Sequence, residues 1–156
     1  MTARSVDDLL ASARRAIDRV EPHELGRLHA RGALVVDIRP ERQRAAEGEL
    51  GFGIVVERNV LEWRFDLRGA HALPEVEGYD QLIIIVCSEG YASSLAAASL
   101  RQLGFTRPAD LAGGYCAYRA WRTEPPPVRR AARTPGRQPG RQEAATPRQR
   151  VSQTIN

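Results

Sequence analysis

Two cysteines, Cys87 and Cys116, are the side chains of this sequence best suited to nucleophilic chemistry, and they lie 29 positions apart. Two thiols so spaced make no disulfide framework; in a reducing compartment they read as one chemical and one structural thiol. Cys87 is the chemical one. It follows the apolar run Leu82, Ile83, Ile84, Ile85, Val86, and only Ser88, Glu89, Gly90, Tyr91 and Ala92 separate it from a helical pattern starting at Ser93. A chain that turns this quickly from strand into helix gathers the unpaired N–H groups of a helix start around the loop. Such a cradle favours an anion, either the thiolate itself or the charged group of a bound donor. A thiolate held in this way needs no general base, and His23, His29 and His71 are all remote in sequence. Gly90 supplies a backbone conformation that other residues avoid, and Ser93 reads first as the helix N-cap, with a contact to the Cys87 sulfur as its second reading. Tyr91 fits a pocket wall and the surface equally well. Cys116, after Gly113, Gly114 and Tyr115, reads as structural, with a second, resolving thiol as the alternative.

The elements that must position this loop follow from hydrophobic periodicity. Residues 5–20 read as an amphipathic helix, with a capping-box-like start at Ser5 and Asp8 and with Val6, Leu9, Leu10, Ala13, Ile17 and Val20 on one face. Pro22 can open a second helix, which Gly32 stops. Residues 33–37, 54–56, 82–86 and 110–111 read as strands; residues 40–47, 93–103 and 115–122 read as helices. On the 93–103 helix, Leu95, Ala96, Ala98 or Ser99, Leu100 and Leu103 are expected to face inward. Residues 59–68 fit either strand-like alternation or a loop with a helical turn, and Trp63 within them is expected in the core. Continuously apolar strands alternating with helices predict a parallel α/β sheet covered on both faces.

The run 82–105, Leu-Ile-Ile-Ile-Val-Cys-Ser-Glu-Gly-Tyr-Ala-Ser-Ser-Leu-Ala-Ala-Ala-Ser-Leu-Arg-Gln-Leu-Gly-Phe, resembles the active-site strand, loop and helix of the rhodanese superfamily. Three further landmarks agree in order and spacing. Residues 34–40, with Asp37 and Arg39, are similar to the family's strand ending in Asp-x-Arg, a pair expected to brace the sheet. Residues 48–50, leading to Asn59 and Val60, resemble its crossover segment, and residues 110–118 resemble its closing strand, Gly-Gly turn and last helix. The resemblance covers residues 21–121. It implies a single-domain, rhodanese-like fold: a five-stranded parallel sheet with helices on both faces. It also implies thiosulfate-type sulfur transfer through a Cys87 persulfide, with the loop from Ser88 through Glu89, Gly90, Tyr91, Ala92 and Ser93 binding the donor. The division expected is an N-terminal amphipathic helix over 1–20, the rhodanese-like domain over 21–122 and a disordered Arg/Pro-rich tail over 123–156. The loop departs from the family pattern, which carries arginines at the positions of Ser88 and Ala92. Each lost charge-assisted hydrogen bond to a dianion such as thiosulfate is worth about 1.5–3 kcal/mol. Arg58, Arg64 and Arg119 are the candidates to supply charge from elsewhere, with Arg58 placed among the donor-binding residues.

Composition excludes several classes. The net charge of +4 is a property of the tail: residues 123–156 hold seven Arg and two Glu, a balance of +5, against sixteen Arg and seventeen acidic residues before them, a balance of −1. Nucleic acid is therefore not the expected partner, and the complete absence of lysine reads as codon bias. Six of the ten prolines fall within 125–147 with no aromatic residue among them, a composition that cannot offset its ordering entropy. No apolar run approaches the roughly 18 residues of a membrane span, and residues 1–20 lack a signal-peptide core. The expectation is a cytoplasmic sulfurtransferase whose partners are a small-molecule sulfur donor and a thiol or cyanide acceptor, with no metal and no cofactor. A partner-binding module with weak turnover is the alternative. A phosphatase is disfavoured, because Ser88 to Leu100 contains no arginine to hold phosphate.

Overall fold

A computed structural model describes residues 2–124. Its first helix, α1 (Val6–Ala16), starts at a complete capping box: Ser5 Oγ accepts the Asp8 N–H, and the Asp8 carboxylate accepts the Ser5 N–H. The helix stops at Ala16, short of the expected Val20. Residues Asp18–Val20 form a strand, β1, pairing in parallel with the strand Pro108–Leu111. Tertiary context overrides the helical spacing here. Val20 is buried in the core, and Arg19 pairs with Asp110 on the neighbouring strand, contacts a helix could not reach. The expected boundary at residue 20 therefore cuts through the sheet.

The other elements are α2 (Pro22–Ala30), β2 (Leu34–Asp37), α3 (Glu41–Glu47), β3 (Ile54–Val55), α4 (Leu61–Phe65), β4 (Ile83–Val86), α5 (Ala92–Gln102), β5 (Pro108–Leu111) and α6 (Gly114–Thr123). The undecided stretch is a 3-10 turn, Arg58–Val60, running into α4, which buries Leu61 and Phe65 one turn apart. Trp63, expected in the core, lies on the opposite side and is 63% exposed. The tail expected over 123–156 begins at the end of α6, and beyond residue 124 it lies outside the described residues.

All pairings are parallel, in the order β1-β5-β4-β2-β3. The central β4 alternates its side chains between two apolar layers. Ile83 and Ile85 pack with Phe65, Ala96, Ala97, Leu100 and Phe105 on one face. Ile84 and Val86 pack with Leu25, Leu111, Tyr115 and Tyr118 on the other. Helices thus cover both faces, as the continuous apolar runs require. The inward face of α5 is rotated from the expected one: Ser93, Ser94, Ala96, Ala97 and Leu100 are buried, while Leu95 is only half-buried. The chain after β4 leaves the sheet at its carboxyl end, between β5 and β2, where parallel sheets place their sites. No helix among the described residues is long and apolar enough to cross a membrane.

Candidate active site

Cys87 follows the last residue of β4 and is buried, 7% exposed. Its Sγ accepts hydrogen bonds from the N–H groups of Gly90 at 3.1 Å and Ser93 at 3.3 Å. The thiol donates to Ser93 Oγ at 3.2 Å. Ser93 in turn donates to the fully buried Asp110 at 3.0 Å, as does Ser94 at 2.7 Å. Ser93 is therefore not the N-cap expected of it. Tyr91 occupies that position with no side-chain cap, and Ser93 lies inside α5 as the link between the thiol and a buried carboxylate. Asp110 is balanced by Arg19, whose Nε lies 2.9 Å from Asp110 Oδ1. The Arg19 pKa is raised, first by its hydrogen bonds to Asp110 and, against a burial penalty, by the negative charges of Asp110 and Glu21.

Two anchors fix the loop. On one side Arg14 and Arg19 both donate to the Gly90 carbonyl, at 2.9 and 3.1 Å. On the other, Ser88 donates to Glu47, and Glu47 is held by Arg39 at 3.0 Å. Arg39 is completely buried. It also binds both oxygens of Asp37, donates to Gly48 O at 3.0 Å and stacks 3.9 Å from the Tyr115 ring centre. The Asp37–Arg39 pair thus braces the end of β2 against α3 and α6, as expected from the sequence. Burial alone would raise the Glu47 pKa. Hydrogen bonds from Ser88 and Arg39 and the charges of Arg39 and Arg119 outweigh it and hold the carboxyl below its usual value.

The floor of the loop is the first turn of α6. Tyr115 N–H donates to Cys87 O at 2.8 Å, and Cys116 N–H donates to Ser88 O at 3.0 Å. This approach requires glycine at 114, where φ is +64° and a Cβ would stand 2.6 Å from both the Cys87 and Ser88 carbonyl oxygens. Gly90, at φ +82°, meets the same limit against Gly113 N at 2.7 Å. Among the described residues, the N–H groups of Ser88, Glu89, Tyr91 and Ala92 have no hydrogen-bond partner. They are open to solvent or to a ligand.

The expected site residues therefore divide. Gly90 and Ser93 touch the sulfur, Ser88 turns to Glu47 and lies 3.8 Å from the exposed Cys116 Sγ, and Glu89, Tyr91 and Ala92 are exposed. Arg58 does not join them: it pairs with Glu62 at 2.9 Å. Arg64 donates to His71 O, and Arg119 to Glu47 O. The residues missed from sequence are Arg14, Arg19, Glu47, Ser94 and Asp110. Asp110 carried a legible signal, since a carboxylate in a strand covered on both faces must find a partner. Arg14 and Arg19 carried none, being more than 70 positions from the loop.

A family model described as Rhodanese-like domain matches residues 21–120. No curated protein is similar enough in sequence to match. Among solved structures, a Rhodopseudomonas palustris protein of unknown function, described as a possible tyrosine phosphatase, is 25% identical with a TM-score of 0.70, over 78% of this chain and 93% of that one. The human single-domain sulfurtransferase is 26% identical with a TM-score of 0.54, over 69% of this chain and 97% of its own. A rhodanese-related protein from Thermoplasma volcanium, 18% identical with a TM-score of 0.52 over 67% and 92% of the two chains, shares the fold.

Proposed function

Because the chain belongs to the rhodanese-like domain family, we propose that it is a sulfurtransferase whose carrier is a persulfide on Cys87. The observation that carries this reading is the pair of N–H donors from Gly90 and Ser93 on Cys87 Sγ, within a loop whose other N–H groups have no partner among the described residues. Donors so placed stabilise negative charge on the sulfur and on whatever it binds. In the first half-reaction the Cys87 thiolate attacks the outer sulfur of thiosulfate or of an organic persulfide. The donor's S–S bond breaks, sulfite or a thiolate leaves with the electron pair, and Cys87 carries the transferred sulfur. In the second, an acceptor thiolate or cyanide attacks that sulfur and the Cys87 thiolate departs. This is nucleophilic covalent catalysis by double displacement. The reading takes a reducing, cytoplasmic setting, with a small thiol as acceptor.

Mass spectrometry of the protein after incubation with thiosulfate and, separately, with an organic persulfide tests this. One added sulfur on the Cys87 peptide is expected. No added sulfur from either donor would sink the reading and favour the alternative, a partner-binding module, which the deep burial of Cys87 and the uncharged rim at Ser88 and Ala92 support. The phosphatase description of the Rhodopseudomonas relative does not carry over: phosphate recognition draws on a bidentate arginine, and residues 88–100 supply none.

A further inference from the structure

The loop has no cation of its own, yet a guanidinium stands against it from behind. Arg14 of α1 donates through Nη2 to Gly90 O at 2.9 Å and through Nε to Ser94 Oγ at 3.1 Å. Its guanidinium carbon lies 5.7 Å from the Tyr91 ring centre. Arg19 reaches the same carbonyl, but its charge is balanced by Asp110. Arg14 makes no ion pair among the described residues. It therefore brings a positive charge without an ion pair to a loop whose own charged side chain is the exposed Glu89.

The carbonyl it binds belongs to the peptide unit that carries the Tyr91 N–H. The chain has no cis peptide bond among its described residues. In a trans peptide the C=O and N–H point to opposite sides, so this N–H is aimed away from the guanidinium. It has no hydrogen-bond partner among the described residues. A cation on a carbonyl oxygen polarises the peptide and strengthens its N–H as a donor, as in any hydrogen-bonded chain at low local dielectric. We propose that Arg14 is the positioning residue that makes the Cys87 loop selective for anionic sulfur donors, by locking and polarising the Gly90–Tyr91 peptide from its carbonyl side. The charge that Ser88 and Ala92 do not provide is delivered through the backbone. It comes from a helix that precedes the residues 21–120 matched by the family model. The proposal rests on the sulfurtransferase reading for its biological meaning.

The test does not depend on that reading. Iodoacetate and iodoacetamide alkylate the same thiolate and differ by one negative charge. The ratio of their rate constants at the Cys87 peptide therefore reports anion attraction, with the thiolate fraction cancelled. In full-length Arg14→Gln the ratio is expected to fall about fivefold at low salt, the order of one unit charge acting through a medium between protein and water. Arg14→Lys, which keeps the charge without the fork, should fall less. Adding Ala92→Arg to Arg14→Gln should restore the ratio by placing a cation on the loop itself. In the parent protein the ratio should drop as salt rises from about 0.01 M to about 0.15 M and the screening length shrinks from about 30 to about 8 Å. That arm needs no variant to fold. An unchanged ratio in a folded Arg14→Gln, an equal fall in Arg14→Lys, or a salt-independent parent ratio would each overturn the proposal. Absence of sulfur loading on Cys87 would instead overturn the sulfurtransferase reading and leave these ratios to decide the role of Arg14.

Discussion

At the scale of single residues, the candidate site pairs the Cys87 thiol with a backbone cradle and a buried polar chain from Ser93 through Asp110 to Arg19. Cys87→Ser is nearly isosteric and keeps the possibility of bonding to Ser93, so we expect complete loss of sulfur transfer with an unchanged melting temperature. Retention of most activity would refute the mechanism. Charge at the rim is a separate variable. Ala92 is exposed, and its N–H and those of Ser88, Glu89 and Tyr91 have no partner among the described residues. Ala92→Arg should therefore raise kcat/KM for thiosulfate by about tenfold, the size of one charge-assisted hydrogen bond, and leave an uncharged trisulfide donor nearly unaffected. Equal gains for both donors would show that the new charge acts on the thiol and not on the donor.

At the scale of elements, the loop is shaped by what packs beneath and behind it. The first turn of α6 approaches so closely that Gly114→Ala would drive a Cβ into the Cys87 and Ser88 carbonyls, at a φ that side chains avoid. The expected cost is about 2–4 kcal/mol in denaturant unfolding, with slower sulfur loading, since the Cys87–Ser88 peptide must move. A stability within about 0.5 kcal/mol of the parent would mean that the turn relaxes freely. The N-terminal segment is equally integral. Deleting residues 2–20 removes an edge strand and leaves Asp110 buried without Arg19. Removing one partner of a buried pair costs about 3–5 kcal/mol, discounted here because Arg19 is 30% exposed. Loss of the β5 pairing and of the α1 packing adds to it. The truncated chain is expected to lose its cooperative thermal transition, whereas an unchanged melting curve would make residues 2–20 an appendage.

At the scale of the whole molecule, stability should depend on pH through carboxylates that tie elements together. Glu47 links α3 to the loop and Glu62 pairs with Arg58; in both, hydrogen bonds and neighbouring cations outweigh burial and hold the pKa below the usual 4.5. A carboxyl with a depressed folded pKa contributes stability that is fully present above its unfolded value and is lost as pH falls through its folded value. The melting temperature should therefore not change through these two groups between pH 7 and about pH 5, and should fall increasingly below about pH 4.5. Glu47→Gln should make that acid slope shallower while lowering stability at neutral pH, where its charge faces Arg39. An acid slope identical to the parent's would show that Glu47 is not among the linking groups.

The sequence by itself determined the parallel α/β class, the positions of β2, β4, α5 and α6, and the place of Cys87 between strand and helix. Each of these is written locally, as a continuous apolar run, a helical spacing, or a cysteine between strand and helix. The bracing pair Asp37 and Arg39 was legible for the same reason, being two residues apart on one strand end. Only the tertiary structure decided that Asp18–Val20 is a strand. A three-residue edge strand has no periodicity of its own and exists because β5 offers it hydrogen bonds and Asp110 offers Arg19 a charge. It likewise decided that Trp63 faces outward, since one turn of α4 buries only Leu61 and Phe65. It moved Ser93 from a helix cap to a link between Cys87 and Asp110. And it brought Arg14, not Arg58, to the loop: hydrogen bonds between residues more than 70 positions apart follow from how layers stack, and no local pattern encodes them.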